Sequence, residues 1–515
     1  MLFPDNFNPD LYALDFSIDS VMLFDPERKP KVPKPLESDI QDAKLLYYHP
    51  ADRHIEAKRN FVGLIEGTVT FFSPFSPKKK QQKATLINLD NHSYIAKNFE
   101  ESLWLCIGIN NLSKSISYRS NPTSGTYLNE GVFQNEKSNI NLSLAEQFLD
   151  HFVDMLTLFY GKVSSYVDEN GVTELFPIIF EDFIQQYKKL NSKPDSQLNL
   201  FKYQTRVLNY APIEKRSFLA IHHLMSVVSS VELNLRHFCF FYNGYYIYST
   251  FDHHTTQLIY DYLYVNSNVT EIDLYKTDRF SRMNMMLSYG HCNYLKGEGG
   301  FLYGLVEDFT GDENSQASNN YGNEGIISDR MKKINESFEL YTPNIWLKED
   351  GNNMKNYKLS IYNIAGVTIV MAFDNEKELT SEKLQQLKAN VNKNLGKLSN
   401  NLSKQVEKLY SKEETSRMSY YNTVSFSYRT SYSFLKHIDN ITYRLILETV
   451  QGFISREDKE SQQLMTVLKS GKSWVLVKYF NGRVVVHCLS SQMTIQKVEE
   501  EKVRLLESFS SNILL

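Results

Sequence analysis

The sequence predicts an α+β protein of three units, each an antiparallel sheet of about five strands with helices packed against it. Three observations lead there. A short aromatic hairpin followed by a helix-length stretch recurs along the chain. Asn243-Gly244 and Asn481-Gly482, the dipeptide most favoured in two-residue hairpin turns, each sit between two period-two apolar runs, FCFFY/YYIYS and WVLVKYF/RVVVHCL. A chain of 515 residues also exceeds what one hydrophobic core supports, and at about 150 residues per domain it fits about three.

In the first unit, residues 1–205, Asp15–Phe24 and Lys44–Tyr48 read as strands. Between them PERKPKVPKPLESDIQDA, residues 26–43, is rich in proline and charge and reads as an extended hairpin loop. A helix follows over Glu56–Phe72, with Phe61, Leu64, Ile65, Val69 and Phe72 at helical spacing on one face. Gly63 and Gly67, four apart, open one side of that helix to close backbone approach, either by its own sheet or by a partner; the spacing favours packing inside the domain. Runs at Ala84–Leu89, His92–Lys97 and Ser102–Asn110 complete a five-stranded sheet. Ser113–Ser138 reads as a polar loop, and Ser143–Tyr160 and Glu174–Leu190 as two helices.

The second unit, residues 206–412, opens with a helix over Glu214–Val231, then the Asn243-Gly244 hairpin and a helix over Thr256–Tyr264. Strands follow near Phe301, Ile345, Tyr357–Tyr362 and Val367–Phe373. The polar tract Gly311–Gly325 marks a disordered insertion near residues 308–328. Leu384, Leu387, Val391, Leu395, Leu398, Leu402, Val406 and Leu409 step by threes and fours along a closing helix, Thr380–Leu409, whose stripe suits its own sheet better than a partner. The third unit, residues 413–515, contains a strand over Thr423–Tyr432, a helix over Ile438–Phe453, the Asn481-Gly482 hairpin and an amphipathic tail from Ile495.

Composition excludes several classes of function. The formal charge of −4 and pI near 6.3 leave no global field for nucleic acid or anionic lipid, so any such binding needs a local patch. Cys106, Cys239, Cys292 and Cys488 are far apart, without the spacing of a disulfide framework or zinc site. The first residues lack the basic and apolar regions of a signal peptide, which points to the cytosol. The longest nearly apolar run, Ile364–Phe373, is far below the roughly 20 residues that span a bilayer.

Chemistry-bearing motifs fare no better. Ser470-Gly471-Lys472-Ser473 resembles the end of a phosphate loop, but Thr466 stands where the partner glycine is required, so a hairpin turn is the better reading. Gly297, Gly299 and Gly300 read as loop residues rather than a dinucleotide fingerprint. His222-His223 and His253-His254 diverge by roughly 100° on a helix and lack a third ligand at zinc spacing. Asp312, Asn314 and Gln316 fail as a calcium loop because Ala317 replaces the turn glycine. No cofactor is expected, and no acid–base pair, nucleophile elbow or other catalytic constellation is present. One further segment, FFSPFSPKKKQQK, sets Phe75 beside Lys78, Lys79, Lys80 and Lys83; it reads either as a solvated loop whose phenylalanines belong to the core or as an anionic membrane interface, and it suits a membrane better than nucleic acid.

The strings LLYYHP and KRNFVGLIEGTVTFFSPFSP, then FCFFYNGYYIYST with its helix, then SWVLVKYFNGRVVVHCL and SSNILL, occur in an order that resembles the Ccz subunit of the Mon–Ccz complex, the vacuolar fusion protein family. The resemblance spans most of the chain, with gaps at residues 26–43 and 266–340. It implies three longin domains, a heterodimer with a Mon-type longin subunit, and guanine nucleotide exchange on the Rab GTPase of late endosomes, lysosomes or vacuoles. It also implies a third, scaffold-like subunit in animals and recruitment to a phosphoinositide-containing membrane. Exchange of this kind needs no covalent chemistry; the factor binds the GTPase switches and stabilises the nucleotide-free state. The resemblance puts partner and GTPase contacts on Phe61, Val62, Gly63, Leu64, Ile65, Gly67, Val69 and Phe72. Two alternatives stand beside it: the equivalent subunit of the lysosome-related-organelle exchange factor, and a longin adaptor that binds trafficking proteins without driving exchange.

Overall fold

The computed structural model describes residues 18–72, 84–89, 92–110, 112–117, 132–137, 142–168, 171–174, 176–181, 183–184, 208–209, 213–231, 235–242, 245–266, 300–302, 344–349, 353–364, 367–375, 386–387, 389–393, 395, 398–405, 418–422, 427–430, 446, 449, 464–470, 473–480, 483–490, 494, 496–497 and 500. The chain divides into two compact units, Met1–Arg206 and Val207–Leu515.

The first unit is built on a five-stranded antiparallel sheet. Its strands are β1 (Ile18–Phe24), β2 (Leu45–His49), β3 (Thr85–Asn88), β4 (His92–Glu100) and β5 (Leu103–Asn110), in the spatial order β2-β1-β5-β4-β3. The central strand β5, LWLCIGIN, is apolar on both faces because both are covered. Trp104 and Cys106 face one helix, while Leu103, Leu105, Ile107 and Ile109 are buried with the rest of the core. Gly108 continues the first face: a Cβ there would strike the Ser20 hydroxyl and come within 2.8 Å of the Tyr94 ring.

Three helices are described in this unit with full ranges: α1 (Glu37–Lys44), α2 (Ile55–Phe72) and α3 (Leu142–Tyr160). α2 covers one face of the sheet, burying Phe61, Val62 and Ile65 against Met22, Phe24, Tyr48, Tyr94, Ala96, Trp104 and Cys106. α3 packs beside β3 and β4, where Lys97 Nζ pairs with the Asp150 carboxylate at 2.5 Å and the Glu146 carboxylate accepts the Ala84 N–H at 3.0 Å. Helical residues 176–181 and 183–184 add Phe176, Phe180 and Phe183, which meet Tyr47 and Phe152 edge to face. Glu181 ties this segment to β2, accepting from Tyr47 Oη at 2.8 Å and lying 2.7 Å from His49 Nδ1. Burial, then the Glu181 carboxylate, holds the Tyr47 phenol well above its usual range.

Two sequence expectations are corrected here. Residues 26–43 are not loop throughout, since α1 occupies Glu37–Lys44. Its only apolar residues are Ile40 and Ala43, and none of its residues is buried, so no apolar stripe announces it. The Asp39 carboxylate accepts the Leu36 N–H at 2.8 Å, and ion pairs to α2 fix the rest. The polar stretch Ser113–Ser138 contains an antiparallel hairpin of β6 (Leu112–Ser117) and β7 (Val132–Lys137). A second small hairpin joins β8 (Val167–Asp168) to β9 (Gly171–Val172).

The second unit holds two six-stranded sheets. One begins with β10 (Leu208–Asn209), a short strand parallel to a later one. Helix α4 (Lys215–Val231) precedes the hairpin β11 (Leu235–Tyr242) and β12 (Tyr245–Ser249), in which Tyr242 pairs with Tyr245 on either side of the turn dipeptide. Helix α5 (His253–Asn266) follows. The other strands of this sheet are β13 (Gly300–Leu302), β14 (Asn344–Lys348), β15 (Met354–Ile364) and β16 (Val367–Asp374), in the order β12-β11-β16-β15-β13 with β14 also on β15. Gly300 is therefore a strand residue, not a loop residue. On one face of the sheet α4 contributes Ile221, Leu224, Met225 and Val228. The helix within 386–405 adds Leu387, Val391, Leu395, Leu398 and Leu402 to the same core.

The remaining strands are β17 (Met418–Asn422), β18 (Ser427–Thr430), β19 (Leu464–Ser470), β20 (Ser473–Phe480) and β21 (Arg483–Ser490). With β10 they form the sheet β10-β18-β17-β21-β20-β19. The strand expected over Thr423–Tyr432 is β18, and β17, which lies just before that range, pairs antiparallel with it. Ser470 pairs with Ser473, as expected of a hairpin rather than a phosphate loop. β20 and β21 pair through Phe480 and Arg483 across Asn481-Gly482. The tract Gly311–Gly325 and nearly all of the tail from Ile495 lie outside the described residues.

Candidate partner interface

α2 has three sides, and each is set by its sequence. Phe61, Val62, Ile65 and Val69 lie within about 100° of arc and turn to the sheet, where the first three are buried and Val69 packs on the rim of the core. Arg59, Gly63 and Glu66 turn to α1. The Arg59 guanidinium donates to both Asp42 oxygens, at 2.7 and 2.5 Å, and to Glu56 at 2.6 Å; Lys44 Nζ reaches Glu66 at 2.5 Å. This bidentate fork holds the Asp42 carboxyl below its usual range. A Cβ on Gly63 would lie 3.3 Å from the Gln41 amide, so Gly63 is where α1 comes close.

The third side holds Asn60, Leu64, Gly67 and Phe71, spaced four, three and four. Leu64 is 47% exposed and Phe71 66% exposed, and a Cβ on Gly67 would meet nothing within 4 Å. Two apolar side chains thus flank a bare stretch of helix backbone that faces water. The base of the helix is stiffened by Tyr48, whose hydroxyl accepts from Arg53 at 2.6 Å while Arg53 and Lys58 stand 5.6 and 5.7 Å from its ring centre.

The eight residues proposed from sequence therefore separate. Phe61, Val62 and Ile65 are core, Val69 is at its rim, and Gly63 faces α1. Only Leu64 and Gly67 among them point outward, and the side chain of Phe72 lies outside the described residues. The expectation that Leu64 shares the core stripe with Phe61 and Ile65 is corrected, because Val62 takes that place. Phe71 was missed as a candidate; its four-residue step from Gly67 was the available signal. Phe75, Lys78, Lys79, Lys80 and Lys83 lie outside the described residues.

Elsewhere, His222 and His223 are both exposed on α4, with the His222 ring 5.8 Å from Tyr248. Cys106, Cys239 and Cys488 are buried, and burial pushes the thiols of Cys106 and Cys239 well up. Among the described residues no cluster of three or more metal-ligating side chains occurs. Among them too, no helix is long and apolar enough to cross a membrane.

A five-stranded antiparallel sheet with α2 on one face and helices against the other is the longin arrangement, and comparison with known families agrees. Residues 18–161 match the family described as the first longin domain of INTU, CCZ1 and HPS4. Residues 18–161 therefore have the longin fold. Within that class the chain is similar to vacuolar fusion protein CCZ1 homologues: 24% identical over 225 residues to that of Danio rerio and 23% over 224 residues to that of Xenopus tropicalis. Each match covers 43% of this chain and 44% of the relative, so the aligned part spans less than half of the curated relatives' length.

Proposed function

We propose that this chain is a Ccz-type subunit of a heteromeric guanine nucleotide exchange factor for a late-endosomal or vacuolar Rab GTPase, acting in endosome maturation and vacuole fusion. Its partner in this reading is a Mon-type longin subunit, joined in animals by a scaffold-like third chain, and the pair works as a regulator without covalent chemistry. The complex is cytoplasmic and recruited peripherally to the late endosome, lysosome or vacuole. The observation that carries the reading is the outward stripe Asn60, Leu64, Gly67 and Phe71 on α2, within the longin domain that resembles those of the CCZ1 homologues.

The chemistry of that stripe fits a protein partner. An apolar side chain on each side of a glycine lets another backbone settle against the helix, while the opposite side of α2 is fixed in the core and cannot yield. α1 and its ion pairs keep the helix from tilting. A GTPase switch or the partner's longin domain placed there meets a rigid ridge, which is what holding a switch away from its nucleotide requires.

The test is release of labelled nucleotide from the purified late-endosomal Rab with this chain alone, the Mon-type subunit alone and the co-expressed pair. The reading predicts strong acceleration by the pair alone. A stable pair that leaves release at its intrinsic rate across several Rab proteins replaces exchange with the adaptor role.

A further inference from the structure

The stretch Arg28–Leu36 is the most conspicuous surface element that α2 does not explain. It contains four basic residues, Arg28, Lys29, Lys31 and Lys34, and no acidic one. Between them stand Pro30, Pro33 and Pro35 and two large apolar side chains in water, Val32 at 51% exposure and Leu36 at 70%.

Its ends are pinned. On one side the Asp25 N–H donates to the Lys44 carbonyl at 2.9 Å, Arg28 N–H to the Asp25 carbonyl at 3.3 Å, and the Arg28 guanidinium to the Asp168 carbonyl at 2.9 Å. On the other, Leu36 N–H donates to the Asp39 carboxylate at 2.8 Å, and Arg59 locks α1 through Asp42. The tip is thus held out from a fixed stem, so little ordering cost remains when something binds it.

We infer that this tip, Lys29–Leu36, is a docking element for an anionic lipid bilayer, with Val32 and Leu36 entering the interface and the exposed Lys29 and Lys34 on the headgroups. Charge complementarity decides the occupant: cations interleaved with exposed apolar side chains match a surface that is anionic outside and apolar beneath. A groove for extended proline segments needs a straight left-handed helix, and the chain bends through Lys31–Lys34 instead. Nucleic acid would need a wider basic face, and the acidic residues Glu27 and Glu37 border this one. The inference rests on the proposed function only in placing this chain at a membrane.

Flotation of the full chain, co-expressed with its partner where that is needed, compares phosphatidylcholine vesicles with phosphatidylcholine–phosphatidylserine vesicles, with and without a phosphoinositide. Binding to the anionic vesicles only, falling with salt, is expected. The variant K29E/K34E should weaken it by about twenty-fivefold or more, at roughly fivefold per lost charge. V32D/L36D should weaken it with the charges intact, and all four substituted positions are exposed, with the unfolding midpoint of each variant checked alongside. Retained binding in both variants overturns the inference. So does competition by polyglutamate without vesicle binding, which would mark an acidic protein as the occupant. Nucleotide release in vesicle-free solution should be unchanged by either variant, so failure of the exchange reading and failure of this one are separable.

Discussion

Two helices carry the same kind of apolar stripe and use it differently. In the helix within 386–405, Leu387, Val391, Leu395, Leu398 and Leu402 are all buried in the core of their own unit. In α2 the apolar residues fall on two sides: Phe61, Val62 and Ile65 enter the core, while Leu64 and Phe71 are largely exposed. A stripe confined to one arc is consumed by the sheet beneath it. A helix with more apolar residues than one arc can hold presents the surplus, and that surplus is where a partner can bind without unfolding the domain.

The contrast predicts that the core stripes fail alike. Leu402→Ala and Ile65→Ala each empty a fully buried site and should cost about 2–5 kcal/mol, read by urea unfolding. A nearly neutral Leu402→Ala would put that helix on a partner instead. Gly108→Ala should cost about 1–3 kcal/mol, since its methyl strikes Ser20 and Tyr94 beneath α2. Adding Ser20→Gly should return part of the loss, and no recovery would place the strain elsewhere. Leu64→Ala should change stability by no more than about 0.5 kcal/mol. A larger loss would mean that Leu64 belongs to the core after all.

The smallest effect concerns the brace between α1 and α2. The Asp42 carboxyl is held down by Arg59, so its contribution is present above the unfolded carboxylate pKa of about 3.9 and is lost as pH falls through the lower folded value. The advantage of the protein over Asp42→Asn should therefore hold at neutral pH and vanish in acid. It is small because Asp42 is partly open to solvent. An advantage that persisted in acid would assign the brace to something other than this charge pair.

Much of this fold is legible in sequence wherever burial has a period. The five strands of the first sheet, α2, α3 and the stripe of the helix within 386–405 follow from spacings of two or three-to-four. What the sequence hides is structure held by neighbours rather than by a pattern. α1 is polar and depends on Arg59 and Glu66 across the fold. β6 and β7 are a polar hairpin, and β10 is two residues long and pairs with a strand more than two hundred positions away. The site was half legible for the same reason. Phe61, Ile65 and Val69 fit a helical arc with either Val62 or Leu64, and only the placement of the sheet and α1 decides between them.

Leu64→Asp in the co-expressed pair tests the outward side of α2 most directly. Unfolding and nucleotide release are measured on the same preparation. An unfolding midpoint close to that of the unmodified chain is expected, with exchange on the late-endosomal Rab reduced at least tenfold, whereas a folded variant that exchanges at the full rate would contradict a role for this side of α2.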